Sequence, residues 1–153
     1  MSTTLFEAPQ YDPARARRRQ RLLITIALAV AILGALAWRY RHWQQERIVG
    51  NFFHALQQHD WERAYGIWMA DPEWKQHPER YPKYSYNEFY QDWGPGGEWG
   101  LINSYHVDGS EVPRGGGSGV VVVVTVNNRA EPAALWVEKA NNTLTFSPYP
   151  VTH

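Results

Sequence analysis

The longest unbroken apolar run in the chain is LLITIALAVAILGALAW, residues 22–38, in which Thr25 is the only polar side chain. As a helix these 17 residues would extend roughly 25 Å, close to the ~30 Å hydrocarbon core of a bilayer. Trp38 and Tyr40 suit the headgroup interface, and Arg21 and Arg39 extend apolar stems while their charge stays wet. The run therefore predicts one membrane-crossing helix.

Beyond it the period of the pattern changes. Ile48, Val49, Phe52, Phe53 and Leu56 recur at spacings of three and four, the stripe of an amphipathic helix over residues 44–58 that the membrane helix runs directly into. Asp60 is placed to cap a second helix, with Trp61, Ala64, Tyr65 and Trp68 on its inner face. Three prolines in residues 71–84 predict an irregular connection. Ser85 then caps a third helix, on which Tyr86, Phe89, Tyr90 and Trp93 share one side. GPGGEWG, residues 94–100, ends the helical half, because proline lacks an amide and glycine gains too much freedom by leaving.

The remainder reads as strands. Residues 101–107 alternate, and Gly115, Gly116, Gly117 and Gly119 form a hairpin loop. VVVVVTV, residues 120–126, is β-branched and apolar on both faces, which predicts a central strand covered on each side. Residues 133–139 and 143–147 alternate around Asn141-Asn142, a pair that accepts positive φ and suits a tight turn. The sequon Asn141-Asn142-Thr143 is explained by that turn without a sugar. Residues 1–14 contain Pro9 and Pro13 and no period, as a disordered tail would.

Length and charge add direction. A chain of 153 residues holds one domain and a short appendage. The total charge is zero, yet Arg15, Arg17, Arg18, Arg19 and Arg21 are opposed before the span only by Glu7 and Asp12. With the arginines before the span outnumbering those after it, the N-terminus is expected in the cytoplasm. This divides the chain into a cytoplasmic basic tail (1–21), a transmembrane helix (22–40) and an extracytoplasmic domain (41–153), single-pass in a bacterial inner membrane. The domain then lies in the periplasm or outside the cell. The competing reading is a signal peptide cleaved after Ala37, since Ala35-Leu36-Ala37 has the small-x-small pattern; bulky Trp38 and the arginines after it argue against cleavage. Arg18-Arg19 has the letters of a twin-arginine signal, but the residues after it fit poorly. No basic stripe marks the folded part, so nucleic acid is not an expected partner. Cysteine is absent, which removes disulfides, thiolate nucleophiles and cysteine-bound zinc. Eight Trp, nine Tyr and five Phe must supply the core instead.

Three helices followed by a curved antiparallel sheet make an α+β cone. In Phe52-Phe53, Ala55-Leu56, Asp60 and Ala64-Tyr65, and in residues 89–93 before Gly100-Leu101-Ile102, residues 44–149 resemble the nuclear transport factor 2-like superfamily. That superfamily includes ketosteroid-isomerase-like and SnoaL-like domains. The resemblance implies the cone; its catalytic members place an acid-base Asp or His and an oxyanion donor inside, but no such motif transfers residue by residue. In architecture alone, the chain is also similar to the bitopic inner-membrane scaffold component of type IV secretion machines, where a cone serves as a docking block.

Candidate sites follow from residue type. Tyr65, Trp68, Phe89, Trp93, Tyr105 and Trp136 would hold a small apolar ligand if they lined a cone's mouth, and would be plain core otherwise. Trp136 alternates with Leu135 and Val137 and so belongs on the opposite sheet face from them. Asp92, Glu98, His106 and Asp108 are the acid-base candidates, and solvated loop carboxylates are the alternative. His54 and His59 are five apart, about 140° around a helix, and cannot converge on one metal. No catalytic residue, metal site or cofactor is assigned. In the span, Ala27, Ala31, Gly34 and Ala35 form a small-residue face for a helix partner. The expected function is a membrane-anchored scaffold or accessory protein, its partners the lipid bilayer and a membrane protein or a second copy. A module for a small hydrophobic ligand and an isomerase- or hydratase-like enzyme are the alternatives.

Overall fold

The computed structural model describes residues 12–149; of the expected disordered tail, residues 1–11 lie outside the described residues. The chain is α+β and divides into two units, Met1–Arg41 and His42–His153.

Among the described residues, the first unit holds one helix, α1 (Pro13–Arg39). It starts earlier than expected, because Asp12 accepts hydrogen bonds from the N–H of Ala14 (2.9 Å) and Arg15 (3.4 Å) and Pro13 supplies a helix-ready φ at the first position. No residue of α1 is buried, and near the N-terminus it is long and apolar enough to cross a membrane. It does not run on: residues 40–42 form a turn before α2 (Trp43–Gln57).

In the second unit α2 is followed by α3 (Trp61–Trp68), two short 3-10 turns (Trp74–Gln76 and Pro78–Arg80) and α4 (Tyr86–Trp93). The corner between α2 and α3 is only three residues. Asp60 donates its N–H to Ala55 O (2.9 Å) and His59 donates to Leu56 O (3.0 Å), a Schellman closure with His59 at φ 57°. Asp60 then turns its carboxylate to the N–H of Arg63 (3.1 Å) and caps α3. α3 ends the same way, with Ala70 at φ 53° and Asp71 N–H on Gly66 O (2.8 Å). Ser85 caps α4 as expected, within a reciprocal capping box with Glu88.

Four strands form one open antiparallel sheet in the order β1 (Tyr105–Glu111), β2 (Gly119–Val126), β3 (Ala133–Glu138), β4 (Leu144–Phe146). Register pairs Val122 with Leu135, Val124 with Ala133 and Val137 with Leu144, all buried on the face that meets the helices. Phe52, Phe53, Leu56, Trp68, Phe89 and Trp93 pack against that face in one core.

One strand expectation is corrected. β1 begins at Tyr105 rather than residue 101, because the side chain of Asn127 takes over the polar groups before it. Its Oδ1 accepts from Asn103 N–H (2.8 Å) and Ser104 N–H (3.2 Å), and its Nδ2 donates to Leu101 O (2.9 Å). β2 is interior to the sheet, as expected, and each of its residues is buried or half-buried. On its outer face Val121 is buried and pairs with Trp136.

Candidate functional site

Five of the six candidate pocket residues come together, and they do so as a solid interior. Tyr65, Trp68, Phe89 and Trp93 are each 0–3% exposed. Ring centroids lie 5.2 Å apart for Tyr65 and Phe89, 5.7 Å for Trp68 and Trp93, and 5.0 Å for Phe52 and Trp93, the spacing of rings in direct contact. Tyr105 stacks on Phe53 at 5.8 Å, and half-exposed Phe146 stacks on Trp93 at 5.7 Å. Trp136 is separated from the set: β3 alternation turns it to the outer sheet face, where it packs on Tyr149 at 5.7 Å. Its membership of one pocket with the other five is therefore corrected by the strand register.

Burial shapes the chemistry of these phenols. Tyr65 donates to Tyr84 O (2.7 Å), and burial, then the charge of Glu88, raises its pKa. Tyr84 is raised strongly, by burial and then by its hydrogen bond to Asp92 (2.8 Å); Tyr105 is raised by burial. Raised phenols stay protonated and act as hydrogen-bond donors, not as bases.

The acid-base candidates split into two pairs. Asp92, held by Tyr84, and Glu98 line a small surface cleft beside Trp99 and Phe146. His106 and Asp108 sit on β1, their closest atoms 4.0 Å apart, with His106 open to solvent and Asp108 accepting from Thr125 (2.7 Å). Asp108 is the extra residue where the β1–β2 register slips between Val107 and Gly109, which aims it at Thr125 on the outer face. His54 is exposed on α2, and His59 stacks on Trp61 at 5.4 Å. Among the described residues no group of three metal-ligating side chains gathers.

A polar cluster that periodicity does not point to occupies the irregular segment. Asp71 Oδ2 accepts from Tyr81 Oη–H and from His77 Nε2–H, both at 2.5 Å, while Oδ1 accepts from Glu73 N–H (3.1 Å). A carboxylate only accepts, so His77 presents Nε2–H to it. Tyr81, then His77, hold the Asp71 carboxyl below its ordinary pKa, and Asp71 in turn pushes Tyr81 up to about 12. Every bond closes on residues 71–81, so the cluster ties the loop that seats Trp74 against Tyr65 (4.8 Å). Beside it a groove of about 740 Å³ runs between α2 and α3, lined among others by Ile48, Ile67, Pro72, Trp74 and the Glu62–Lys75 ion pair.

On α1, Ala27, Ala31, Gly34 and Ala35 are exposed, and nothing lies within 4 Å of the place a Cβ would take at Gly34. No protein family, curated protein or solved structure matches the chain.

Proposed function

We propose that this is a single-pass membrane scaffold or accessory protein. Its α1 crosses a bacterial inner membrane with the N-terminus in the cytoplasm, and its domain from residue 42 onward docks outside the cytoplasm on a membrane-protein partner or a second copy. The observation that carries this reading is the filled interior: Trp68, Phe89 and Trp93 occupy the volume that a ligand or substrate would need. A domain with a solid centre works through its surface. The nuclear transport factor 2-like cone remains our proposal for its ancestry, supported by an α+β order in which helices precede an antiparallel sheet. The small-residue face of α1, open along Ala27, Ala31, Gly34 and Ala35, supports a helix partner in the bilayer.

The test is isolation of the full chain from its native membrane in mild detergent, with mass measured by light scattering and companions identified. A stoichiometric partner or a defined oligomer is expected; a monomer without companions across the concentration range overturns the reading. The second reading, a module for a small apolar ligand, has the α2–α3 groove in its favour, with Ile48, Ile67 and Trp74 in its lining.

A further inference from the structure

α1 is helical from Pro13, so Arg15, Arg17, Arg18, Arg19 and Arg21 belong to an ordered helix and not to a loose tail. That arrangement is electrostatically uphill. Arg15 stands in the first turn, at the positive end of the helix dipole, where the carboxylate of the N-cap Asp12 is the acidic group and the first turn itself holds none. Arg15 and Arg19, and Arg17 and Arg21, are like charges four apart, a spacing that destabilises a helix. No Asp or Glu occurs between Asp12 and Glu46, and among the described residues none of the five takes part in an ion pair. Glu7 and Asp12 leave residues 1–21 net positive by three, a charge that an external anion would neutralise.

Position identifies that anion, on the reading that residues 22–38 cross a bilayer. Arg21 directly precedes the span, and Arg15 lies about 9 Å farther along the axis at ~1.5 Å per residue. A headgroup layer is roughly 5–7 Å deep on each side of the hydrocarbon, so the five arginines bracket its depth. Taking Arg15 as zero, the side chains leave the axis at roughly 0°, 200°, 300°, 40° and 240° in chain order, at 100° per residue. They spread over roughly 200° of the helix circumference, with about 160° between Arg19 and Arg17 left free, instead of converging on one point. We propose that these five arginines form a collar that binds anionic phospholipids in the leaflet at the N-terminal end of the span. The collar selects them over zwitterionic lipids by net charge and not by headgroup shape.

The test uses the full chain reconstituted in phosphatidylcholine vesicles with trace spin-labelled phosphatidylglycerol, phosphatidylserine or phosphatidylcholine. The motionally restricted fraction of each probe is read by electron spin resonance. The wild type is expected to prefer either anionic probe on the order of fivefold, the surface attraction of about one arginine per contacting lipid. The preference should fall as salt rises. Replacing all five arginines with lysine should keep it, and replacing all five with glutamine should cut it to the smaller preference that Arg39 and Arg41 supply at the other end of the span. Alkaline carbonate extraction of the same vesicles separates the failures. An unselective wild type that resists extraction overturns the collar and leaves the span standing, whereas release by carbonate overturns the span and the collar together. Selectivity that is undiminished in the glutamine variant, or a marked preference between the two anionic headgroups, also overturns the proposal.

Discussion

The indole of Trp136 fills the space that a side chain would take at Gly119. A Cβ built on Gly119 would stand 2.5 Å from Trp136 Cε2 and 2.7 Å from Cζ2, and would also run into the carbonyl of Val137. The carbonyl belongs to the β2–β3 ladder and cannot swing aside. Gly119→Ala is therefore expected to destabilise the domain by about 1–3 kcal/mol. Gly117→Ala should cost less, because its Cβ would meet only the far edge of the ring, 3.0 Å from Cη2. Urea unfolding of the full chain in detergent, followed by near-ultraviolet circular dichroism, checks the order of the two.

Asn127 makes a similar substitution of side chain for structure at the other end of β2. Its carboxamide serves Asn103, Ser104 and Leu101 at 2.8–3.2 Å, so side chains, Asn127 foremost and Gln57 on Asn103 O (2.8 Å), hold the chain before β1 instead of a ladder. Asn127→Ala removes the carboxamide's bonds at roughly 1 kcal/mol each, about 2–3 kcal/mol in all. The loss should be local first: amide hydrogen exchange at Asn103 and Ser104 is expected to rise well before that in β2. Uniform acceleration across the sheet would show that Asn127 acts globally.

These two residues mark where a one-dimensional reading ends. The helices of the second unit were legible because Phe52, Phe53 and Leu56, or Phe89 and Trp93, announce a 3.6-residue period, and Ser85 and Asp60 are residue types that cap. The facing of Trp136 was legible from alternation, but its separation from Trp68 and Trp93 is a matter of which face meets the helices, which requires the register. The start of β1 was hidden because Asn127 lies 24 residues from Asn103 and replaces backbone partners with a side chain. Asp71, His77 and Tyr81 carry no period at all. A signal was present in Asp71-Pro72 followed by polar residues with unmet donors, but only the fold joins them.

The Schellman turns were equally silent, because His59 and Ala70 stand where glycine is the usual sign. Ala70 is exposed at φ 53°, a conformation that costs an L-residue of order 1 kcal/mol or more and costs glycine little. The gain from relief exceeds the extra freedom of glycine in the unfolded chain. Ala70→Gly is thus expected to stabilise the domain by about 0.5–1 kcal/mol, read as a thermal midpoint a few degrees higher. A lower midpoint would mean that the methyl group packs in the groove it borders.

Asp71 and Tyr81 make stability respond to pH from both sides. Tyr81 donates to Asp71, so losing its proton breaks the bond and sets two anions together; its pKa is pushed up to about 12. An unfolded tyrosine titrates near ~10. Between about 10 and 12 the unfolded chain therefore binds fewer protons than the folded one, and stability falls as pH rises. The contribution is whole below about pH 10. Asp71 runs the other way. The Tyr81 hydroxyl, and next His77, hold its carboxyl below the ordinary value, so the unfolded chain takes up the proton first as pH drops under ~4. Its contribution is whole above that pH and is lost as acid titrates the folded carboxyl. Buried Tyr65 and half-buried Tyr84, Tyr86 and Tyr105 also have raised pKa values, so alkaline loss will persist in any single variant. The informative quantity is the difference between wild type and variant. Urea midpoints of wild type and Tyr81→Phe should converge as pH passes from about 10 to 12, and those of wild type and Asp71→Asn should converge as pH falls below about 4. Parallel curves at both extremes would show that the cluster holds its loop by packing alone.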